Sequence, residues 1–234
     1  MSRFERTGLL FDKSQMVRLA NSHVMVFGVG GVGGYVVESL VRSGVSKISI
    51  IDNDTVNITN INRQIIATTD TLDKLKVEVM KDRILSINPN CVVNVYPTFV
   101  TEENINDFDF SNVDYIVDAI DTISAKIAII LKAQESNIKI ISAMGAGNRL
   151  DPTQIKIADI NQTKNCPLAK VMRYELRKRG VPHLKCIYSL ELPITPNEKI
   201  VNEDSGKVVI GSVAYMPSIF GLMISSEVIK DLIN

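Results

Sequence analysis

Cysteine, histidine and net charge are all scarce in this chain. Its 234 residues hold three cysteines, Cys91, Cys166 and Cys186, and no two of them form a CxxC pair. That spacing excludes a four-cysteine zinc site and points to a reducing compartment. The two histidines, His23 and His183, lie too far apart in sequence to suggest a metal cluster. Lys plus Arg and Asp plus Glu both total 26, so no whole-molecule field favours nucleic acid or membrane, and a polyanion site would have to be a local patch. The N-terminus is charged and lacks the apolar core of a signal peptide, which sets the expectation of a cytoplasmic protein. The uncharged run from Val208 to Ser226 approaches the length of a membrane span, but Gly211, Pro217 and Gly221 interrupt it. The expectation is no integral membrane association, and a core strand that passes at Pro217 into a core helix over Ser218–Ile233.

Apolar residues are plentiful, 45% against 22% charged, enough for one substantial core with an appended lobe and too few for two full catalytic domains. Runs of strand length alternate with helical patterns. Val24–Phe27 precedes a helix over Gly31–Ser43 and a second strand at Ile48–Ile51. Val77, Met80, Ile84 and Ile87 recur at helical spacing, and Pro89 ends that helix before Val92–Val95. A fourth strand, Tyr115–Val117, closes at Asp118. Ser124–Ser136 reads as a helix and Ile140–Ile141 opens a fifth strand. The pattern predicts an α/β fold with a Rossmann-like, doubly wound, mainly parallel sheet. From Asp151 onward, short strands at Ile155–Ile157 and Cys186–Leu190 flank a helix around Leu168–Arg179. This part reads as a smaller lobe across the carboxyl edge, where ligands of such sheets bind. The division expected is 1–22 for an N-terminal arm and helix, 23–150 for the core, and 151–234 for a substrate-facing lobe that returns to the core with its last helix.

The chemistry begins at Gly28-Val29-Gly30-Gly31-Val32-Gly33, directly after the first strand. Glycines let a backbone turn tightly and approach a ligand, and the first amides of the following helix point at an anion. Asp52 closes the second strand at about the 20-residue distance of an acidic residue that takes ribose hydroxyls. Alone, this fingerprint signals a dinucleotide and hydride transfer. The segment from Asp52 to Gln64 is more polar than a dehydrogenase crossover and ends in Arg63, with Lys76 following 13 positions later. Asp118-Ala119-Ile120-Asp121 then puts two carboxylates at the strand edge, where magnesium could sit between them and phosphate oxygens. Together these groups suit a triphosphate and its departing pyrophosphate.

These motifs resemble the adenylating superfamily that includes ubiquitin-activating enzymes and the molybdopterin and thiamin biosynthesis adenylyltransferases. Its pattern of GxGGxG, an acidic strand end, N-x-x-R-Q, a lysine and D-x-x-D is present throughout. The resemblance implies ATP and Mg²⁺ as cofactors. It implies a nucleotide-binding set of Gly28, Gly30, Gly31, Gly33, Asp52, Asp54, Asn60, Arg63, Lys76 and Asp118, in which Asp52 holds ribose and Asn60, Arg63 and Lys76 hold the phosphates. It further implies that Asp121 binds the metal and that Arg63, Lys76, Asp121 and Arg6 are catalytic. Arg6 lies in Arg3-Phe4-Glu5-Arg6, which resembles the arm that this family donates from a partner subunit, so a homodimer follows.

Within the superfamily the chain looks like the bacterial branch that dehydrates N6-threonylcarbamoyladenosine in tRNA to its cyclic form. Arg3-Phe4, the segment Asp151–Ile155 after Gly145-Ala146-Gly147, and Cys186–Glu191 carry that likeness. The resemblance implies a tRNA substrate, no DNA, and room for a sulfur-transfer helper protein. From the residues themselves, Lys164, Lys170, Arg173, Arg177, Lys178, Arg179 and Lys185 against the single acid Glu175 form a local basic run, suited to phosphate contacts or equally to a solvated helix face. Cys186 reads as a small buried residue before it reads as a nucleophile, and Asn148 and Arg149 suit a substrate contact or a turn. Two alternatives stand beside the dehydratase: activation of the C-terminus of a ubiquitin-like sulfur carrier, and an NAD-dependent oxidoreductase.

Overall fold

The computed structural model describes residues 2–201, 206 and 208–234. Among them, seven strands form one sheet: β1 (His23–Phe27), β2 (Lys47–Ile51), β3 (Val92–Tyr96), β4 (Tyr115–Asp118), β5 (Lys139–Ala143), β6 (Ile155–Asp159) and β7 (Lys185–Ser189). Their order is β3-β2-β1-β4-β5-β7-β6, parallel throughout except that β6 runs antiparallel to β7. The order reverses between β1 and β4, so their carboxyl ends open the crevice where such sheets receive ligands.

Side chains alternate across the strands and so feed two layers. Val24, Val26, Ile48, Ile50, Tyr115 and Val117 face a core closed by α1 (Lys13–Asn21), α2 (Gly33–Ser43), α3 (Lys76–Ile87) and α6 (Tyr215–Ile233). Met25, Phe27, Ile51 and Ile116 face the other way, toward α4 (Ile123–Glu135). Between β3 and β4 the connection is mostly irregular, and it covers this face with aromatics. Phe108 meets Phe27 edge-on at 5.8 Å, and Phe110 stacks on Phe27 at 6.3 Å. Local chemistry sets the helix ends. Asp12 and Gln15 form a reciprocal capping box at the start of α1, and Gly44 at φ 111° closes α2 in the left-handed region.

The C-terminal third joins the same sheet. β6 and β7 extend it beyond β5, and α5 (Pro167–Lys178) packs on α4 over Cys186 and Tyr188. The segment after β7 then crosses the carboxyl ends. The Ile194 amide donates to the Asn148 carbonyl, Asn148 and Gly211 exchange 2.8 Å bonds, and Asn62 donates to the Ser212 carbonyl. Residues 151–234 thus supply two strands of the one sheet as well as a segment across its carboxyl edge.

One expected element is absent. Residues 208–214 form no strand beyond an isolated bridge from Val208 to Val201, and Val208, Val209 and Ile210 are exposed. The helix begins at Tyr215, upstream of Pro217, because the first turn of a helix leaves its amides unpaired and tolerates proline there. Among the described residues no helix is long and apolar enough to cross a membrane.

Gly221 positions α6 against the start of α2. A Cβ there would lie 2.4 Å from the Val32 carbonyl oxygen and 2.8 Å from Tyr35 Cβ. Gly221→Ala should therefore cost about 1–3 kcal/mol through overpacking, read as a lower urea midpoint. Gly8→Ala, at a site with nothing within 4 Å, should leave the midpoint nearly unchanged.

Candidate nucleotide site

The turn after β1 is held by close backbone approaches. The Gly28 amide donates to the Ile51 carbonyl and the Ala119 amide to the Phe27 carbonyl, each at 2.8 Å, which clamps the turn between the ends of β2 and β4. Gly28 sits at φ 89°, and a Cβ on it would lie 2.8 Å from the Ala119 oxygen. On Gly33 a Cβ would meet the Gly28 carbonyl oxygen at 1.8 Å. These two glycines are required by the protein's own backbone. Gly30 is different, since a Cβ there would meet only Gln64 Nε2, at 3.6 Å. Its bareness leaves an open approach to the backbone ahead of α2, whose first turn supplies the positive end of the helix dipole.

Asp52 secures the turn from the side. Its carboxylate accepts from the Val29 amide at 2.7 Å and from the Asp54 amide at 2.9 Å. Burial pushes its pKa above the ordinary carboxylate range, while Lys76 and these two amides pull the other way. Lys76 opens α3 with its stem buried, and its Nζ pairs with Asp54 Oδ2 at 2.7 Å. Asp54 is 58% exposed and Lys76 only 6%, so the buried ammonium is met from the solvent side by a surface carboxylate.

The polar crossover returns along the same turn. Arg63 Cγ lies 3.6 Å from where a Gly31 Cβ would be, and Ile65 packs against Gly34. The half-exposed Arg63 guanidinium donates to the Thr59 carbonyl at 2.7 Å and to Asn62 Oδ1 at 2.9 Å. Asn60 is buried and acts locally: its Oδ1 accepts the Asn57 amide, and its carbonyl accepts the Arg63 and Gln64 amides. It shapes the turn that presents Arg63. Gln64 escaped the sequence reading, although it stands in the N-x-x-R-Q run. Among the described residues its Oε1 is the one buried side-chain oxygen or nitrogen without a hydrogen-bond partner. A buried carboxamide left unpaired beside Gly30 is costly unless a ligand completes it.

Asp118 requires a correction. Sequence places it in the nucleotide pocket, but it is fully buried. Its Oδ2 pairs with Lys126 Nζ at 2.8 Å and accepts from Ser142 Oγ at 2.5 Å. Lys126, also fully buried, donates further to the Ala143 carbonyl at 2.8 Å and the Ile120 carbonyl at 3.2 Å. The pair thus ties the ends of β4 and β5 to the loop that carries Asp121. A lone lysine inside the apolar Ile123–Ile130 stretch was the available signal for it. Asp121 is exposed on that loop, next to the Ala119–Gly28 contact.

Other candidates lie elsewhere. Arg6 is exposed on an arm anchored at the opposite edge of the sheet. Arg3 donates to the Ile87 carbonyl at 2.6 Å, and Phe4 lies near Gly44. That is the far end of α2, about 16 Å along its 11 residues, so Arg6 does not reach the turn of its own chain. Cys186 is fully buried, and burial pushes its thiol up to about 12, which leaves no thiolate for nucleophilic work. Asn148, at φ 55°, and Arg149 serve turns: Arg149 is buried and donates to the Gly145, Asn165 and Glu191 carbonyls. Among the described residues, no three His, Cys, Asp or Glu side chains are grouped so as to hold a metal.

Known proteins resemble the chain along most of its length. The ThiF family profile matches residues 4–234. The tRNA threonylcarbamoyladenosine dehydratase of Bacillus subtilis is 41% identical over 243 residues, covering 100% of this chain and 96% of that protein. The Escherichia coli protein of that name is 37% identical over 202 residues, covering 83% and 75%. The crystal structure of E. coli tRNA N6-threonylcarbamoyladenosine dehydratase in complex with ATP superposes with a TM-score of 0.89 at 33% identity, covering 98% of this chain and 93% of that one.

Replacing Lys126 by Met keeps the length of the side chain but strands the Asp118 charge. Lys126→Met should lower stability by about 3–5 kcal/mol, measured by urea unfolding. The double variant Lys126→Met/Asp118→Leu should recover much of that loss, because no buried charge is then left unpaired.

Proposed function

The chain belongs to the ThiF family, and from that premise we propose that it is an ATP-dependent tRNA threonylcarbamoyladenosine dehydratase. The observation that carries the reading is Arg63 and Gln64 packed against one glycine turn, with Lys76 beside the Asp52 and Asp54 that flank it, in a chain alike from end to end to dehydratases of that name. A carboxylate is a poor electrophile because oxide and hydroxide leave badly. In the proposed reaction an oxygen of the threonyl carboxylate attacks the α-phosphorus of ATP, and the bond to pyrophosphate breaks. A nucleophile within the threonylcarbamoyl group then attacks the activated carbonyl. AMP departs with the former carboxylate oxygen, the nucleophile's proton is released, and the ring is closed. No protein nucleophile is needed, in keeping with the buried Cys186.

The first step brings two anions together, so its barrier falls mainly through charge compensation and in-line placement. Lys76 and Arg63 supply fixed positive charge beside the turn, and the α2 amides receive phosphate oxygens. Asp52 would take the ribose hydroxyls alongside the two amides that it already accepts. Magnesium suits a single exposed carboxylate that shares the ion with substrate phosphates. Asp121 would hold it, and the ion would neutralise charge on the departing pyrophosphate. The arm carrying Arg6 cannot serve its own site, which supports a homodimer in which each subunit lends Arg6 to the other. A reducing, cytoplasmic setting accords with three buried free thiols. A sulfur-transfer helper protein gains no support from any described surface.

Labelled pyrophosphate should exchange into ATP when tRNA bearing the threonylcarbamoyl group is supplied. Arg63→Ala and Asp121→Asn should each lower that exchange about 100- to 1,000-fold. Arg6→Ala should do the same. Mixing it with Arg63→Ala under subunit exchange should restore about a quarter of wild-type activity, since hybrid dimers hold one intact site. Exchange driven by a ubiquitin-like carrier and not by tRNA would favour the carrier-activating alternative.

A further inference from the structure

The seven cations between Lys164 and Lys185 are not equivalent once folded. Arg173 turns inward, and its guanidinium donates to the Ile160 and Thr163 carbonyls and to Thr163 Oγ1. Arg179 is held by Glu175 at 2.5 Å. Lys185 lies on β7 and pairs with Glu227 and Asp231 of α6 at 3.0 and 2.7 Å. What remains is Lys164, Lys170, Arg177 and Lys178, all exposed and, among the described residues, without an ion-pair partner.

Three of these four share one face of α5. Ala169, Met172 and Leu176 are buried beneath the helix, while Lys170, Tyr174, Arg177 and Lys178 follow one another at i, i+4, i+7 and i+8 on the outside. The stripe is about 12 Å long at 1.5 Å per residue. Tyr174 is 60% exposed, and Lys178 Nζ stands 4.1 Å from its ring centroid, so the ring holds that ammonium in place over an aromatic face. The stripe begins one turn into α5, at the end of the helix that lies nearest the carboxyl edge. α5 starts at the carboxyl edge, where Asn165 bonds to Arg149 and Leu190, and it packs along α4, which begins two residues after Asp121.

We propose that the outer face of α5, with Lys170, Tyr174, Arg177 and Lys178, is the surface that receives the sugar-phosphate backbone of the tRNA stem. A neutral protein that must hold a large polyanion needs such a local field. The inference rests on the dehydratase reading and adds where the RNA lies. Lysines and an exposed ring at one-turn spacing position a backbone without reading bases. The nucleotide bearing the carboxylate is then selected by the cleft, not by this face.

The test compares wild type with Lys170→Ala/Arg177→Ala/Lys178→Ala, using unmodified tRNA across a range of salt. The triple variant should bind tRNA more weakly, and the slope of log affinity against log salt should be shallower by about 3. Its affinity for ATP should be unchanged, which also shows that it is folded. Lys13→Ala, on α1 at the other face of the sheet, should leave the slope close to wild type. The proposal is overturned if the triple variant keeps wild-type affinity and slope for tRNA. It is overturned as well if the variant loses only binding to a ubiquitin-like carrier protein. Failure of the wild-type protein itself to bind any tRNA would instead overturn the dehydratase reading on which the proposal rests.

Discussion

The cleft depends on how tightly the turn after β1 is drawn against its neighbours. Gly28 and Gly33 have backbone oxygens at distances that no side chain could share, and Asp52 pins the Val29 amide from the second strand. Loss of either feature would move the amides of this turn and of the first residues of α2, the groups proposed to receive phosphate. Phe27, the last residue before the turn, is in turn fixed from below by Phe108 and Phe110. The site is therefore set by backbone packing first and by charged side chains second.

The charges divide into two classes by burial. Lys126 and Asp118 are fully buried and fully hydrogen-bonded. Such a pair contributes little net stability, but breaking it is expensive, and its value here is that it fixes the loop bearing Asp121. Lys76 and Asp54 form the opposite kind of pair. One partner is buried and the other largely exposed, so the pair holds the ammonium in place from the solvent side, and in the proposed reaction a phosphate would replace the carboxylate. Arg63 rests on a carbonyl and an amide oxygen, neutral partners that an anion would outcompete.

Much of this was legible in the sequence, for identifiable reasons. The strands of the parallel sheet are short apolar runs, and their ends carry the glycine turn, Asp52 and the 118–121 loop, so motif and strand end announce each other. Residues whose roles depend on a distant partner were not legible. Asp118 resembles a ligand-facing carboxylate until Lys126 is brought beneath it. Arg173 and Lys185 look like members of a basic surface until Thr163 and the carboxylates of α6 take them away. Residues 208–214 are apolar enough for a core strand, yet they cross the carboxyl edge with Val208–Gly211 exposed and only Val213 packed on the core, because their backbone pairs with the loops at Asn62 and Asn148. Composition cannot distinguish an edge-crossing segment from a buried one.

The central claim is that an acid's oxygen becomes bonded to the α-phosphorus of ATP in this cleft. The direct measurement uses tRNA whose threonylcarbamoyl carboxylate carries oxygen-18, with mass spectrometry of the AMP released during cyclisation. Adenylation places one labelled oxygen in AMP for each ring closed. Unlabelled AMP alongside cyclised tRNA would contradict the account.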